Sequence, residues 1–321
     1  MSSPAPAAAL PGVPPREPSL LSDLVALTKP RIISLLLVTA IAPMYATGAG
    51  NPSLRLVLMV FLGGYLMAGG ANAINMWFDR DIDDVMNRTK RRPIPAGRVS
   101  PALGLAWGIG LGLLAFVLLW TQANPLSAWL AMGGLLFYVF IYTTWLKRSN
   151  PQNIVIGGAA GAFPPLVGWA AVTGSLDLTA VYLFLIIFYW TPPHFWALAL
   201  IKQHDYARAG VPMLPVVKGE ARTKAEMLLY TWILLPLTLL PVAWHAFGWF
   251  YAAVAVVLWL PFLRYILQIR ATPGVSPLCW KLYRYSLLYL ALLFTAMAVD
   301  RQLPWGHAEG QAQELKLERI G

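Results

Sequence analysis

Nine long apolar stretches constrain the fold of this chain more than any other feature of its sequence. They lie near residues 32–49, 56–76, 101–121, 127–146, 152–172, 178–200, 227–247, 248–267 and 282–299. A helix needs about 20 apolar residues to cross the hydrocarbon core of a bilayer. Only 12% of the 321 residues are charged, whereas a soluble domain carries about 25%. The sequence therefore predicts an all-α membrane protein with nine transmembrane helices.

The basic residues indicate how these helices are oriented. With the N-terminus in the cytoplasm, all but four of the 24 lysines and arginines fall on the cytoplasmic side, the exceptions being Arg55, Arg301, Lys316 and Arg319. Cytoplasmic loops of membrane proteins are enriched in these residues. We expect a multi-pass protein of the bacterial cytoplasmic membrane, with a disordered tail at residues 1–22, a transmembrane domain at 23–300 and a polar tail at 301–321.

The net charge of +10 does not indicate a nucleic-acid partner for this chain. In a soluble protein such a charge favours binding to nucleic acid. Here the orientation of the helices accounts for where the charges lie, so the expected surroundings are the lipid bilayer. The single cysteine, Cys279, excludes an intramolecular disulfide and a zinc cluster built from thiolates.

The acidic residues cluster where the second apolar stretch ends. The segment from 72 to 98 reads NAINMWFDRDIDDVMNRTKRRPIPAGR. On a helix, Asn75, Asp79 and Asp83 lie within about 80° of one another, while Asp81 and Asp84 point elsewhere. Oxygen ligands on one stripe suit Mg²⁺, which is commonly completed by the phosphates of a substrate. The stripe therefore predicts a magnesium site formed by Asn75, Asp79 and Asp83.

Basic residues near this stripe are candidates for binding the phosphates. Arginine and lysine donate charge-assisted hydrogen bonds to phosphate oxygens. The candidates are Arg88, Lys90 and Arg92 in the same segment, Lys147 and Arg148 after the fourth stretch, and Arg31 beside Pro30 in the first. For Lys147, Arg148, Lys29 and Arg31, a plain anchoring role at the membrane surface stays open.

The motif and several other segments carry a resemblance to a known family. N-x-x-x-D-x-x-x-D followed by R-T-K-x-R-P resembles the first aspartate-rich signature of the UbiA-type intramembrane prenyltransferases. Within that superfamily, the chain is similar to the protoheme IX farnesyltransferases, also called heme O synthases. The segments that carry this likeness include LTKPRIISLLLVT at 27–39, YWTPPHFWALAL at 189–200 and DYARAGVPMLPVVKG at 205–219.

The resemblance implies a fold and an activity. The fold is a bundle of nine transmembrane helices around a central cavity that opens to the cytoplasmic side. The activity is transfer of a farnesyl group from farnesyl diphosphate to a vinyl group of protoheme IX, which gives heme O and diphosphate. Mg²⁺ is the implied cofactor, with Asn75, Asp79 and Asp83 as the catalytic residues. A downstream heme-modifying enzyme is the expected protein partner.

The chain departs from the superfamily in the segment after the sixth stretch. Members usually carry a second D-x-x-x-D motif there, but this chain has Asp205 followed by Ala209. Asp205 is therefore a candidate ligand of a second metal ion. His194 and His204 are candidate contacts of the heme substrate, because a neutral imidazole is a common iron ligand. A structural hydrogen-bonding role stays open for both histidines.

Two other functions stay open at this point. The chain could prenylate a different acceptor, such as a quinone precursor or a chlorophyll-type ring. It could also be a transporter, because polar residues within membrane spans often mark ion paths. The acids cluster at one membrane face and no internal repeat is evident, which favours the enzyme over the transporter.

Overall fold

The computed structural model describes residues 18–303, and every regular element in that range is a helix. The helices are α1 (Leu20–Thr28), α2 (Pro30–Ala46), α3 (Leu54–Phe78), α4 (Arg80–Val85), α5 (Pro101–Gln122), α6 (Pro125–Leu136), a π-helix (Phe137–Leu146), α7 (Lys147–Ser149), α8 (Asn153–Gly157), α9 (Ala159–Thr173), α10 (Leu178–Ile201), α11 (Gln203–Arg208), α12 (Leu214–Ala243), α13 (Trp249–Ala271) and α14 (Leu278–Gln302). The prediction of an all-α protein is confirmed.

The predicted tails lie mostly outside the described residues, which exclude 1–17 and 304–321. Residues 20–22, which the sequence places in the first tail, instead begin α1. The hydroxyl of Ser19 accepts a hydrogen bond from the backbone N–H of Ser22 at 3.3 Å, which is the usual role of a helix N-cap. Asp23 in the first turn is buried and pairs with Arg98 at 2.9 Å, so α1 is tied to the loop before α5.

The helices agree with the predicted number of membrane spans. Eight helical segments between residues 18 and 303 are long and apolar enough to cross a bilayer: α3, α5, Pro125–Ser149, Asn153–Thr173, α10, α12, α13 and α14. Helices α1 and α2, which are bent by 44° at Lys29, make a ninth if they form one broken span. The protein is therefore a multi-pass membrane protein. Its central cavity and its orientation stay predictions.

Close packing of α3 on α5 holds the second predicted span in place. A Cβ atom on Gly70 would lie 2.6 Å from the carbonyl oxygen of Gly108, so the two backbones approach more closely than any side chain would allow. Small residues permit such approach between helices within membranes. The contact lies one to two turns before Asn75, so it positions the end of α3 that carries the acidic motif.

The polar segment between the sixth and seventh apolar stretches, near 201–226, is largely helical. It contains α11 and the first turns of α12. Gly219 has a non-helical backbone (φ 77°, ψ 170°) and separates these first turns from the rest of α12. Buried Met213 and Leu214 fix the start of α12 against the core, which the polar composition does not reveal.

Candidate active site

The acidic motif crosses the junction between α3 and α4. Asp79 caps α3, and the helical hydrogen bonds continue through it: Asp79 N–H to Asn75 carbonyl at 2.9 Å and Asp83 N–H to Asp79 carbonyl at 2.8 Å. The three side chains therefore follow one another at one-turn intervals, and all three residues are buried. Asp81, by contrast, is exposed. The part of the molecule around this junction is called the aspartate end below.

Asp79 is the most enclosed acid of the motif, with 0% of its side chain exposed. Its Oδ2 accepts a hydrogen bond from Nδ2 of Asn75 at 2.7 Å and forms an ion pair with the Lys147 ammonium. Its Oδ1 accepts no hydrogen bond from any residue between 18 and 303, and the Arg148 guanidinium is 3.6 Å away. A buried oxygen without a hydrogen bond is uncommon in folded proteins. This oxygen therefore has unused capacity to accept a hydrogen bond or to coordinate a cation.

Asp83 lies one turn further along and has its own cation. Nη1 of Arg92 donates to Oδ2 of Asp83 at 2.6 Å. The backbone carbonyl of Asp83 accepts a hydrogen bond from the hydroxyl of Thr89 at 3.0 Å, which folds the following loop back onto α4. The loop thus places a guanidinium, 20% exposed, next to a carboxylate that is 3% exposed.

Asn75 directs its amide nitrogen, rather than its oxygen, toward the acids. Oδ1 accepts from the Lys29 ammonium at 3.0 Å, while Nδ2 donates to Asp79 and to the Thr143 hydroxyl at 3.1 Å. An ammonium has no acceptor and a carboxylate has no donor, so these partners fix which end of the amide is which. The oxygen that a metal ligand needs is therefore occupied, which differs from the sequence-based prediction for Asn75.

The π-helix and the first residue of α7 supply two side chains to the site: Thr143, which sequence reasoning missed, and Lys147, for which it left an anchoring role open. Thr143 and Lys147 are four residues apart and reach Asn75 and Asp79, respectively. The Thr144 hydroxyl bonds to the carbonyl of Val139 at 2.8 Å, five residues back, as the wider turn of a π-helix permits. Short π-helical segments are frequent at functional sites. The spacing of Thr143 ahead of Lys147 was a signal that could have found this pair.

Arg148 hydrogen-bonds a different acid from Lys147, although its guanidinium also lies 3.6 Å from Oδ1 of Asp79. Its Nη1 and Nη2 bind the two carboxylate oxygens of Asp81 at 2.8 and 2.7 Å, and Nη2 also donates to the carbonyl of Phe78 at 3.1 Å. The guanidinium beside Asp81 lowers the pKa of that carboxyl to about 2. This ion pair ties α7 to α4 and holds the aspartate end together from its outer side.

Four predicted site residues do not join this cluster. The side chains of Arg31, Lys90 and His204 are exposed and form no hydrogen bond or ion pair with another residue of the described range. Asp205 is paired with Arg208, three residues further along α11. Within residues 18–303, this local ion pair is the contact that the Asp205 carboxylate makes. The structure therefore does not bring Asp205 into the aspartate end.

Arg88 lies on the loop after α4 and is also exposed. It is close to Tyr206 on α11: burial raises the pKa of the Tyr206 hydroxyl, and the Arg88 guanidinium opposes that shift. Arg88 therefore lies on the side of the motif loop that faces α11.

His194 occupies a separate, aromatic part of the site. Its ring is stacked between Trp190 (4.4 Å between centroids) and Tyr283 (4.7 Å). Nδ1 lies 2.6 Å from the Ser286 hydroxyl, which itself donates to the carbonyl of Tyr283 at 2.8 Å. Since that hydroxyl has one proton, it accepts from Nδ1–H, and the neutral ring carries its lone pair on Nε2. Nε2 has no hydrogen-bond partner among residues 18–303.

Comparisons with known proteins agree on one family. The model of the UbiA prenyltransferase family matches residues 35–293. The chain is 59% identical over 285 residues to a protoheme IX farnesyltransferase of Roseiflexus sp. (strain RS-1), with 89% of this chain and 53% of the relative covered. It is 53% identical over 279 residues to a protoheme IX farnesyltransferase of Symbiobacterium thermophilum, with 87% and 93% covered.

Two further facts qualify these matches. The chain spans about half the length of the curated relatives that it matches at 56% identity or more. Its fold is similar to a solved structure of a UbiA homolog from Archaeoglobus fulgidus bound to DMAPP and Mg²⁺, with a TM-score of 0.68 and 18% identity, covering 87% of this chain and 100% of that one. At that identity the similarity shows the shared fold.

Proposed function

Because the chain belongs to the UbiA prenyltransferase family, we propose that it transfers the farnesyl group of farnesyl diphosphate to a vinyl group of protoheme IX, giving heme O. The name of its relatives at 53 to 59% identity supports this choice of substrates. The observation that carries it is Asp79, a fully buried carboxylate. Its Oδ1 accepts no hydrogen bond and lies 3.6 Å from the Arg148 guanidinium, and its Oδ2 is paired with the Lys147 ammonium.

The donors at Asp79 and Asp83 fit a magnesium ion. Mg²⁺ binds through one or two carboxylates and takes its remaining ligands from water and substrate phosphates. Between residues 18 and 303, no group of three His, Cys, Asp or Glu residues is placed to hold a metal. Asp79 and Asp83 would therefore hold the ion together with the diphosphate, and the ion would neutralise the leaving group when bound. The solved UbiA homolog with DMAPP and Mg²⁺ supports this choice.

The neighbouring cations are placed to bind the diphosphate. Lys147 and Arg92 now neutralise Asp79 and Asp83, respectively. We expect both to exchange these carboxylates for diphosphate oxygens, because a charge-assisted hydrogen bond to a more highly charged group is stronger. Arg88 and Lys90 on the exposed loop add two more donors. The developing negative charge on the departing diphosphate is thereby stabilised at several oxygens.

In the proposed reaction, the bond between farnesyl C1 and the diphosphate oxygen breaks, and diphosphate keeps the electron pair. The vinyl group of the heme forms a carbon–carbon bond with C1, water adds to the resulting cation, and one proton is released. The rings of Tyr138 and Tyr142 are stacked 5.4 Å apart, and both hydroxyls lie within electrostatic range of Asp79. Aromatic faces at this position stabilise positive charge at C1.

His194 is the proposed contact for the heme acceptor. Its Nε2 lone pair, fixed by the Ser286 hydrogen bond, is the form of imidazole that binds iron. The stacked residue Tyr283 is within electrostatic range of the Arg88 guanidinium, which supports placing the His194 cluster on the side of the diphosphate-binding loop. A heme held there would have its edge near the farnesyl donor. His204, which is exposed, is not part of this proposal.

Reconstitution of the reaction tests the proposed function. Purified protein is given farnesyl diphosphate, protoheme IX and Mg²⁺, and heme O is measured by mass spectrometry. We expect Asp79→Asn to lower the rate by about 100-fold or more, because the loss of one charge-stabilising group costs about that much. Asp84→Asn is the matched control, since Asp84 is exposed and lies off the motif face. Prenylation of an aromatic acid without heme O formation would contradict the choice of acceptor.

We also propose that the N-terminus lies in the cytoplasm and that the aspartate end faces it. The distribution of basic residues supports this orientation. A single cysteine introduced at exposed Lys90, in a Cys279→Ala background, should be labelled by a membrane-impermeant reagent only after the cells are opened.

A downstream heme-modifying enzyme stays the proposed protein partner, and co-purification with such an enzyme tests it.

A further inference from the structure

Lys29 has a backbone conformation that is unusual for its residue type. It sits between α1 and α2 with φ 56° and ψ 60°, in the left-handed region. Within the described range, His245 is the only other residue with a Cβ atom at positive φ. The left-handed region places Cβ too close to the neighbouring carbonyl oxygen, so glycine or asparagine is expected there. Such strain persists where the side chain has a function.

The side chain of Lys29 reaches the face of α3 that carries the motif. Its ammonium donates to Oδ1 of Asn72 at 3.2 Å and to Oδ1 of Asn75 at 3.0 Å. Nδ2 of Asn72 in turn donates to the backbone carbonyl of Thr28 at 3.0 Å, so the helix break and the two amides form one network. The guanidinium of Arg92, the ammonium of Lys147 and the carboxylates of Asp83 and Asp79 all act electrostatically on this ammonium. Lys29 is therefore held inside the site instead of anchoring at the membrane surface.

The orientation of Asn75 follows from this contact. With Oδ1 against the ammonium, Nδ2 must face Oδ2 of Asp79, which it reaches at 2.7 Å, and Thr143. Turning the amide over would place Oδ1 against a carboxylate oxygen, which would repel it. Asn75 and Lys147 together occupy Oδ2 of Asp79, and the other oxygen, Oδ1, stays without a hydrogen bond.

We propose that Lys29 is a positioning residue: its ammonium holds Asn75 in the one orientation that fixes Asp79 and leaves Oδ1 of Asp79 free for the magnesium-bound diphosphate. The strained backbone is what aims the ammonium at Asn72 and Asn75. This inference rests on the proposed function, because it assigns Lys29 a role in the same site. It is independent of the identity of the acceptor.

Two variants distinguish the effect of losing the Lys29 ammonium from the effect of relieving the backbone strain. Lys29→Gly and Lys29→Ala both remove the ammonium, but only glycine relieves the left-handed strain. Farnesyl diphosphate binding to purified full-length protein is measured by calorimetry over a range of Mg²⁺ concentrations, with melting temperatures measured in parallel. Lys281→Ala is the control, because the Lys281 side chain is exposed and forms no hydrogen bond or ion pair with another residue of the described range.

We expect both variants to raise the Mg²⁺ concentration needed for half-maximal binding by about 10- to 100-fold, the usual cost of removing a residue that orients a metal ligand. Lys29→Gly should melt about 2–4 °C above Lys29→Ala, because alanine retains the strain. If binding followed the melting temperature, so that the glycine variant bound better, the role of Lys29 would be structural and the proposal wrong.

Two other outcomes would also overturn the proposal. Mg²⁺ dependence like that of the wild type in either variant would show that the ammonium does not orient Asn75. Weaker binding without Mg²⁺, with the metal dependence unchanged, would make Lys29 a direct phosphate contact. A wild-type protein that binds farnesyl diphosphate but forms no heme O would refute the proposed acceptor and leave the role of Lys29 standing.

Discussion

Replacing Lys147 with methionine tests whether the buried ion pair at Asp79 holds the aspartate end together. Asp79 has 0% of its side chain exposed and Lys147 has 15%. Methionine preserves most of the apolar stem but removes the charge. The remaining partners of the Asp79 carboxylate are Nδ2 of Asn75 at 2.7 Å and the Arg148 guanidinium at 3.6 Å.

The magnitude follows from this geometry. Removing one partner of a buried pair costs about 3–5 kcal/mol, because the other charge stays buried and uncompensated. The cost here should lie near the lower end, about 3 kcal/mol, since Arg148 lies close enough to Asp79 to offset part of the charge. For a protein of this size, that corresponds to a melting temperature lower by about 6–12 °C. Farnesyl transfer should fall by about 100-fold or more, because Lys147 also binds the diphosphate in the proposed reaction.

The double variant Asp79→Asn with Lys147→Met removes both charges of the pair. Replacing both members of a buried pair with neutral groups is often close to neutral for stability. We therefore expect the double variant to regain most of the lost melting temperature while activity stays as low as in Lys147→Met. Lys281→Met, at an exposed position on α14, controls for loss of a lysine as such.

Thermal unfolding in detergent and heme O formation, measured on the same preparations, test the expected stability and activity of both variants. A Lys147→Met variant that melts like the wild type would show that Asp79 does not depend on this ammonium. A double variant less stable than Lys147→Met alone would refute the reasoning from charge burial. Recovery of activity together with stability would contradict the catalytic roles proposed for both Asp79 and Lys147.

Three further predictions follow from other parts of the molecule. Gly70→Ala should cost about 1–3 kcal/mol of stability because its Cβ would lie 2.6 Å from the backbone of α5; Gly110→Ala, with open space around the glycine, should leave the melting temperature nearly unchanged. Ser286→Ala should free the tautomer of His194 and weaken protoheme IX binding by about 10-fold, as followed by absorption spectroscopy; an unchanged spectrum would argue against His194 as the heme contact. Asp81→Asn should melt below the wild type at neutral pH. Because the folded-state pKa of Asp81 is lowered from 3.8 to about 2, the difference should persist above about pH 4 and vanish as the pH falls toward 2; a difference independent of pH would contradict the ion-pair assignment.

Several features of the fold and site could be predicted because they depend on residues close together in the chain. The membrane class follows from apolar length, and the common face of Asn75, Asp79 and Asp83 follows from their four-residue spacing. The position of Asp81 off this face follows from the same rule, because Asp81 is two residues from both Asp79 and Asp83 and so points away from them. The helices near 201–226 do not follow from local sequence, because that segment is polar and the buried side of its helices, including Leu214, is set by packing.

The sequence by itself determined that this chain is a membrane-embedded helical bundle with acids and cations gathered at one end of α3. Only the tertiary structure decided which cation binds which acid and which end of the Asn75 amide faces Asp79. Those contacts join residues 46 and 68 positions apart, Lys29 with Asn75 and Asp79 with Lys147. They depend on the left-handed break at Lys29 and on the π-helix, which align separate helices. Local spacing carries no record of that alignment, because it is set by how the helices pack.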